Sequence, residues 1–121
     1  MKEPEGEILP HVRVIGVDTP ESAHAGTPAE CYAGHATGFT SQLEGHLAWL
    51  TFDAECEDIY GRLLAYVYVG PGTQDSLERQ LLRRGLATAY PVRKNRTFEK
   101  LFEADERQAA DAKVGMWGNC P

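Results

Sequence analysis

The chain has 121 residues, 42% of them hydrophobic and 25% charged, the size and balance of a single globular domain spanning residues 1–121. No apolar run reaches membrane-spanning length, so no membrane partner is expected, and Met1-Lys2-Glu3-Pro4-Glu5-Gly6-Glu7 lacks the apolar stretch of a signal peptide. A formal charge of −6 argues against nucleic-acid binding driven by bulk charge, although Arg83, Arg84, Arg93, Lys94 and Arg96 fall close together and either line one surface or serve a helix end and a loop.

In chain order, residues 2–7 read as a turn and the β-branched run Ile8 to Val17 as a strand. Val12 and Val14 share one face, and Arg13, Ile15 and Val17 the other. Arg13 thus interrupts an apolar face and needs an anionic partner or an open pocket. Asp18 to Gly26 is a loop. Thr27-Pro28-Ala29-Glu30 matches a capping box that opens a helix bearing Tyr32, Ala36, Phe39 and Leu43 and stopping at Gly45. Leu47 to Phe52 is apolar on both faces and predicts a strand buried on both sides. After the acidic connection Asp53 to Asp58, Leu63 to Val69 is a second strong strand.

Asp75-Ser76-Leu77-Glu78 is another capping pattern, followed by the stripe Leu77, Leu81 and Leu82 and a stop at Gly85. Thr97 caps a third helix with Phe98, Leu101, Phe102 and Ala109 inward, ending near Gly115, and Trp117 packs back on the core. Phe39, Trp49, Phe52, Phe98 and Phe102 are core candidates too. This order predicts an α+β fold, a small barrel with packed helices rather than a parallel sheet. His11, His24, His35 and His46 are scattered and take no catalytic role.

Two segments carry chemistry: Arg13-Val14-Ile15-Gly16-Val17-Asp18-Thr19-Pro20-Glu21 and Asp58-Ile59-Tyr60-Gly61-Arg62-Leu63-Leu64-Ala65-Tyr66-Val67-Tyr68. The first sets two carboxylates and a hydroxyl just past a strand end, hard oxygen donors suited to Ca²⁺ or Mg²⁺. The second puts an arginine at the start of a strand after a tight turn. Two guanidinium forks and a cation match the charge that grows on the oxygens of a reacting phosphate, and a remaining glutamate can deprotonate a water. Asp-Thr-Pro-Glu is equally a turn followed by a helix cap.

Together these segments resemble the two signature regions of staphylococcal-nuclease-type (thermonuclease) domains, and "RRGLATAY" and "GMWGNC" follow in that family's order. The resemblance runs from about residue 7 to residue 120. It implies an OB-fold-like β-barrel of five strands with three packed helices, acting as a Ca²⁺-dependent nuclease on DNA and RNA. It assigns Arg13 and Arg62 to the phosphate, Glu21 to the attacking water, Asp18 and the Thr19 carbonyl to Ca²⁺, and Tyr60 and Tyr90 to the nucleotide. It further implies a secreted or cell-envelope location; a monomer is expected, with a dimer that swaps strands to cover the edge left by a missing first strand as the alternative.

The family's first-strand Asp-Gly-Asp-Thr segment has no counterpart here, so the first strand is expected to be missing or shortened. The chain then reads as a piece of a longer protein or as a shortened member. Weak Ca²⁺ binding and slow cleavage are expected, and a weak or inactive nuclease-like module binding nucleic acid or protein is the alternative function. Glu78 replaces a usual asparagine, and Ile59 a lysine. The three cysteines, Cys31, Cys56 and Cys120, are too odd a number to pair fully in a monomer and show no zinc spacing. The resemblance suggests a Cys31–Cys120 disulfide, while spacing alone leaves two free thiols just as open.

Overall fold

The computed structural model describes residues 12–91 and 94–121. The expected strand residues 8–11 and Arg93 lie outside them. Among these residues five short strands and four α-helices follow in the order β1 (Val12–Val14), β2 (Gly16–Asp18), α1 (Ala33–Ser41), β3 (Trp49–Thr51), β4 (Leu63–Tyr68), α2 (Leu77–Arg83), β5 (Thr88–Tyr90), α3 (Glu99–Asp111) and α4 (Met116–Asn119), with a 3-10 turn at Thr73–Asp75 before α2. The strands form a three-stranded sheet ordered β1-β4-β3 and a two-stranded sheet β2-β5. The expected barrel is thus an open pair of sheets among the described residues. Three helices pack as expected, and α4 adds a single further turn.

β4 is the centre. It pairs in parallel with β1 and antiparallel with β3, and Leu64, Ala65, Tyr66 and Val67 are all buried. An apolar run free of turn residues suits a strand covered on both sides. Leu77, Leu81 and Leu82 of α2, Phe102 of α3, and Ile15 and Val17 share the same core cluster.

The long first strand is broken in two by Gly16. Its φ is +93°, and a Cβ there would lie 2.5 Å from the Phe102 ring, so both the backbone turn and the approach of α3 require glycine. The break lets β1 pair with β4 and β2 with β5.

Three other expectations are corrected. Of the run Leu47 to Phe52, Trp49–Thr51 forms a strand, at the edge of the described sheet, with Leu47 80%, Trp49 52% and Phe52 47% exposed, because β4 takes the position covered on both faces. Helix α1 starts later than its capping box predicts. Thr27 exchanges backbone hydrogen bonds with His24 at 2.8 and 3.1 Å, Glu30 turns its carboxylate to Glu21, and Tyr32, at φ 73°, becomes the N-cap. Thr97 does not cap α3, whose N-cap is Phe98. The Thr97 N–H donates to Asp53 at 3.0 Å instead, and Leu101 is exposed while Asp105 faces inward.

Asp105 is buried and binds Arg79 at 2.8 Å and Arg83 at 3.0 Å, tying α3 to α2. Arg84 lies over Phe39 at 4.6 Å, and Arg96 pairs with Glu99 at 2.9 Å. Arg83, Arg84 and Arg96 are thus each engaged by a neighbouring carboxylate or ring while remaining exposed.

The cap of α2 is Ser76, one residue later than the capping pattern beginning at Asp75 implies, and it accepts the Arg79 N–H at 3.2 Å. Glu78 is fully buried, with both carboxylate oxygens 3.2 Å from the Val67 nitrogen. Burial outweighs these hydrogen bonds and pushes its carboxyl up to about 8, from an ordinary 4.5. Because the folded value is the higher one, the stabilisation is complete below the unfolded value and is lost as pH rises through the folded one. Thermal unfolding from about pH 5 to about pH 9 should therefore show a decline in the native chain that Glu78→Gln flattens, the variant being the more stable at the alkaline end. An unchanged decline in the variant overturns this account.

Candidate active site

Strand β2 ends at Asp18, held opposite Thr88 of β5, whose hydroxyl donates to the Asp18 carbonyl at 3.4 Å. The chain then turns through Thr19 and Pro20. Asp18, Thr19 and Pro20 form one wall of an open cavity of about 340 Å³, with Glu30 and Cys31 on one side and Met116, Trp117 and Pro121 on another. Trp117 therefore lines a cavity rather than filling the core. A disulfide joins Cys31 to Cys120 across this wall, their Cα atoms 5.9 Å apart, while Cys56 is an exposed thiol.

Glu21 follows on an exposed loop. Its N–H donates to Glu30 Oε1 at 2.6 Å, and its carbonyl accepts the Glu30 N–H at 2.9 Å.

Arg13 is the central residue of β1, paired with Leu64 of β4. It is half-buried, and among the described residues it has no ion-pair partner. Arg62 directly precedes β4, two residues before Leu64. Because β1 and β4 run parallel and in register from Val12 and Leu63, both arginines sit at the same end of this strand pair.

The Arg62 turn is built by Asp58. One carboxylate oxygen accepts the N–H groups of Tyr60 and Arg62, each at 2.9 Å, and the other accepts Arg62 Nε at 2.6 Å. Gly61, at φ +80°, closes the turn. Desolvation raises the Asp58 carboxyl, but the hydrogen bonds from Arg62 and Tyr60 together with the guanidinium charge outweigh it and hold it below its ordinary value of 3.8. Tyr60 is 78% exposed, with the Arg62 guanidinium 5.8 Å from its ring centroid.

Asp18 and Thr19 thus share one cavity, and Tyr60 and Arg62 share one turn. Tyr90 is half exposed and lines a separate, small depression with Gly16, Tyr66 and Phe102. Arg13, Glu21 and Arg62 do not line the cavity of Asp18, but the two hydrogen bonds to Glu30, which does line it, join Glu21 to its wall.

Two residues with structural roles at these positions escape sequence reasoning. Asp58 had a usable signal, an aspartate followed by Gly61 in a turn. Glu30 had none, since its bond spans nine positions and a capping box offered a local alternative.

The resemblance implies Ca²⁺. Among the described residues no three His, Cys, Asp or Glu side chains gather where they could hold a metal. Asp18 and Thr19 supply a small part of the roughly six to eight oxygens that Ca²⁺ takes. The described donors by themselves do not complete such a site.

The family described as "Staphylococcal nuclease homologue" matches residues 11–119. The chain is 36% identical over 110 residues to the "Thermonuclease" of Staphylococcus hyicus, an overlap covering 90% of this chain and 63% of that protein. It is 36% identical over 107 residues to the "Thermonuclease" of Staphylococcus intermedius, covering 88% and 62%. It is 32% identical over 124 residues to the "Probable endonuclease lcl3" of Botryotinia fuckeliana, covering 96% of this chain and 47% of that protein. The chain spans roughly three fifths of the length of the two thermonucleases.

Asp58→Ala should speed hydrogen exchange of the Tyr60 and Arg62 amides with little effect on global stability, because the clamp lies on an exposed turn. Amide exchange followed by NMR checks this, and unchanged exchange at both amides refutes it. Since the Asp58 carboxyl is depressed, the clamp holds at neutral pH and opens only as pH falls through its lowered value.

Proposed function

Because the chain belongs to the family of staphylococcal nuclease homologues, we propose that it is a nuclease domain hydrolysing the phosphodiester bonds of DNA and RNA. The parallel register that sets Arg13 and Arg62 at one end of β1 and β4, with Asp18 to Glu21 leaving the strand that follows, supports this reading most.

In this reading Arg13 and Arg62 hold the non-bridging oxygens as negative charge builds on them. The Asp58 pair uses the Nε edge of Arg62, which fixes the guanidinium plane while its terminal nitrogens point at the phosphate. Glu21 takes a proton from water as the water oxygen bonds to phosphorus. The bond to the 5′-oxygen breaks, the departing oxygen takes a proton from solvent, and the products are a 3′-phosphate and a 5′-hydroxyl. Tyr60 and Tyr90 flank the nucleotide. An acidic chain can do this because recognition rests on two placed guanidiniums rather than on net charge.

Ca²⁺ is the proposed cofactor, with Asp18 and the Thr19 carbonyl among its donors. The incomplete donor set also favours a second reading, a weakly active or inactive module that binds nucleic acid or protein. We further propose a monomer, with a strand-swapped dimer as the alternative. The disulfide supports an exported or cell-envelope location. No described helix is long and apolar enough to cross a membrane.

Arg13→Ala, Arg62→Ala and Glu21→Gln should each lower kcat/KM on DNA by on the order of 10²-fold or more with far-UV circular dichroism unchanged. Near-native cleavage by any of them removes that residue from the mechanism. A chelator should abolish cleavage; binding of DNA that survives the chelator, without any cleavage, favours the second reading.

Ca²⁺ titration by calorimetry should give a dissociation constant weaker than about 10⁻⁴ M, as expected of a site short of carboxylates. Low-micromolar affinity together with brisk digestion overturns the assignment of an incomplete site.

A further inference from the structure

We propose that Glu30 is a positioning residue for Glu21, an inference that rests on the reading of Glu21 as the base. Glu21 lies beyond the end of β2 and well before α1, so no regular element fixes it. One residue does this instead. The Glu30 carboxylate accepts the Glu21 N–H at 2.6 Å, and the Glu30 N–H donates to the Glu21 carbonyl at 2.9 Å. With both backbone polar groups of Glu21 held, the direction of its Cα–Cβ bond is set. Inside this closure His24 and Thr27 pair through their backbones at 3.1 and 2.8 Å, so the loop is tied at two levels.

The clamp is itself anchored. Cys31, next to Glu30, is bonded to Cys120, and the helix before Cys120 is docked by the Met116 N–H on the Gly85 carbonyl at 3.0 Å. Glu30 thus connects Glu21 to the end of α2 rather than to a loose loop. A hydrogen bond between exposed partners adds little to stability. Catalysis is more demanding, since a shift of about 1 Å in a reacting group can cost about 10²-fold in rate. Loss of the Glu30 carboxylate should therefore spare the fold and affect turnover.

The test compares Glu30→Ala, Glu30→Gln and Glu21→Gln in steady-state cleavage of a single-stranded DNA oligonucleotide with Ca²⁺ present, together with hydrogen exchange of the Glu21 amide. In Glu30→Ala, kcat should fall about tenfold or more with KM within about threefold, and the Glu21 amide should exchange faster. Glu30→Gln keeps an acceptor oxygen at the same reach and should recover both readouts. A native kcat in Glu30→Ala, or a Glu30→Gln as defective as the alanine variant, overturns the positioning role. Undiminished cleavage by Glu21→Gln overturns the base assignment instead, which separates the two failures. Unaltered exchange of the Glu21 amide in Glu30→Ala refutes the clamp whatever the level of cleavage.

Discussion

The parallel pairing of β1 with β4 is the constraint on which the other features depend. β4 is covered on both faces, so its polar backbone groups must be met within the protein. The two flanking strands meet many of them, but β1 runs beside β4 only as far as Ala65. Val67 lies beyond it, and its N–H is met by the carboxyl of Glu78. A fully buried acidic side chain thus completes the hydrogen bonding of the central strand, at the expense of a raised proton affinity. The same pairing sets the end of the sheet at which Arg13 and Arg62 meet solvent.

Around this rigid centre, carboxylates organise the loops. Asp58 folds the turn that carries Arg62, Glu30 holds Glu21, and Asp53 accepts both the Tyr66 hydroxyl and the Thr97 N–H. Asn95, also buried, exchanges two hydrogen bonds with the Glu55 backbone at 2.7 and 2.8 Å. Apart from the Tyr66 hydroxyl, these contacts meet backbone groups outside regular secondary structure, using a polar side chain as a backbone substitute. Much of the acidic excess therefore has a structural use. The net charge of −6 is a poor guide to whether such a chain recognises anions.

The basic residues show the same division. Arg79 and Arg83 converge on Asp105 between α2 and α3, where a buried carboxylate needs paired charge. Arg84 covers an aromatic ring. Arg13 is different in being half-buried on a strand without an ion-pair partner among the described residues. The proposed function takes that guanidinium as one of the two that meet the phosphate.

The sequence by itself determined the helices α2 and α3, the strong strand β4, the family and the identity of the two arginine-bearing segments. These are written in local terms: an apolar stripe at helical spacing, a Gly85 stop and a run of residues suited to a covered strand. Tertiary structure decided the rest. It split the first strand at Gly16 because Phe102 occupies the space a side chain would need, and it moved the start of α1 because Glu30 found a partner nine residues away. It left Trp49 at an edge because one strand already held the covered position. In each case the deciding partner is distant along the chain, and local patterns carry no information about which distant groups will compete for a hydrogen bond or a volume.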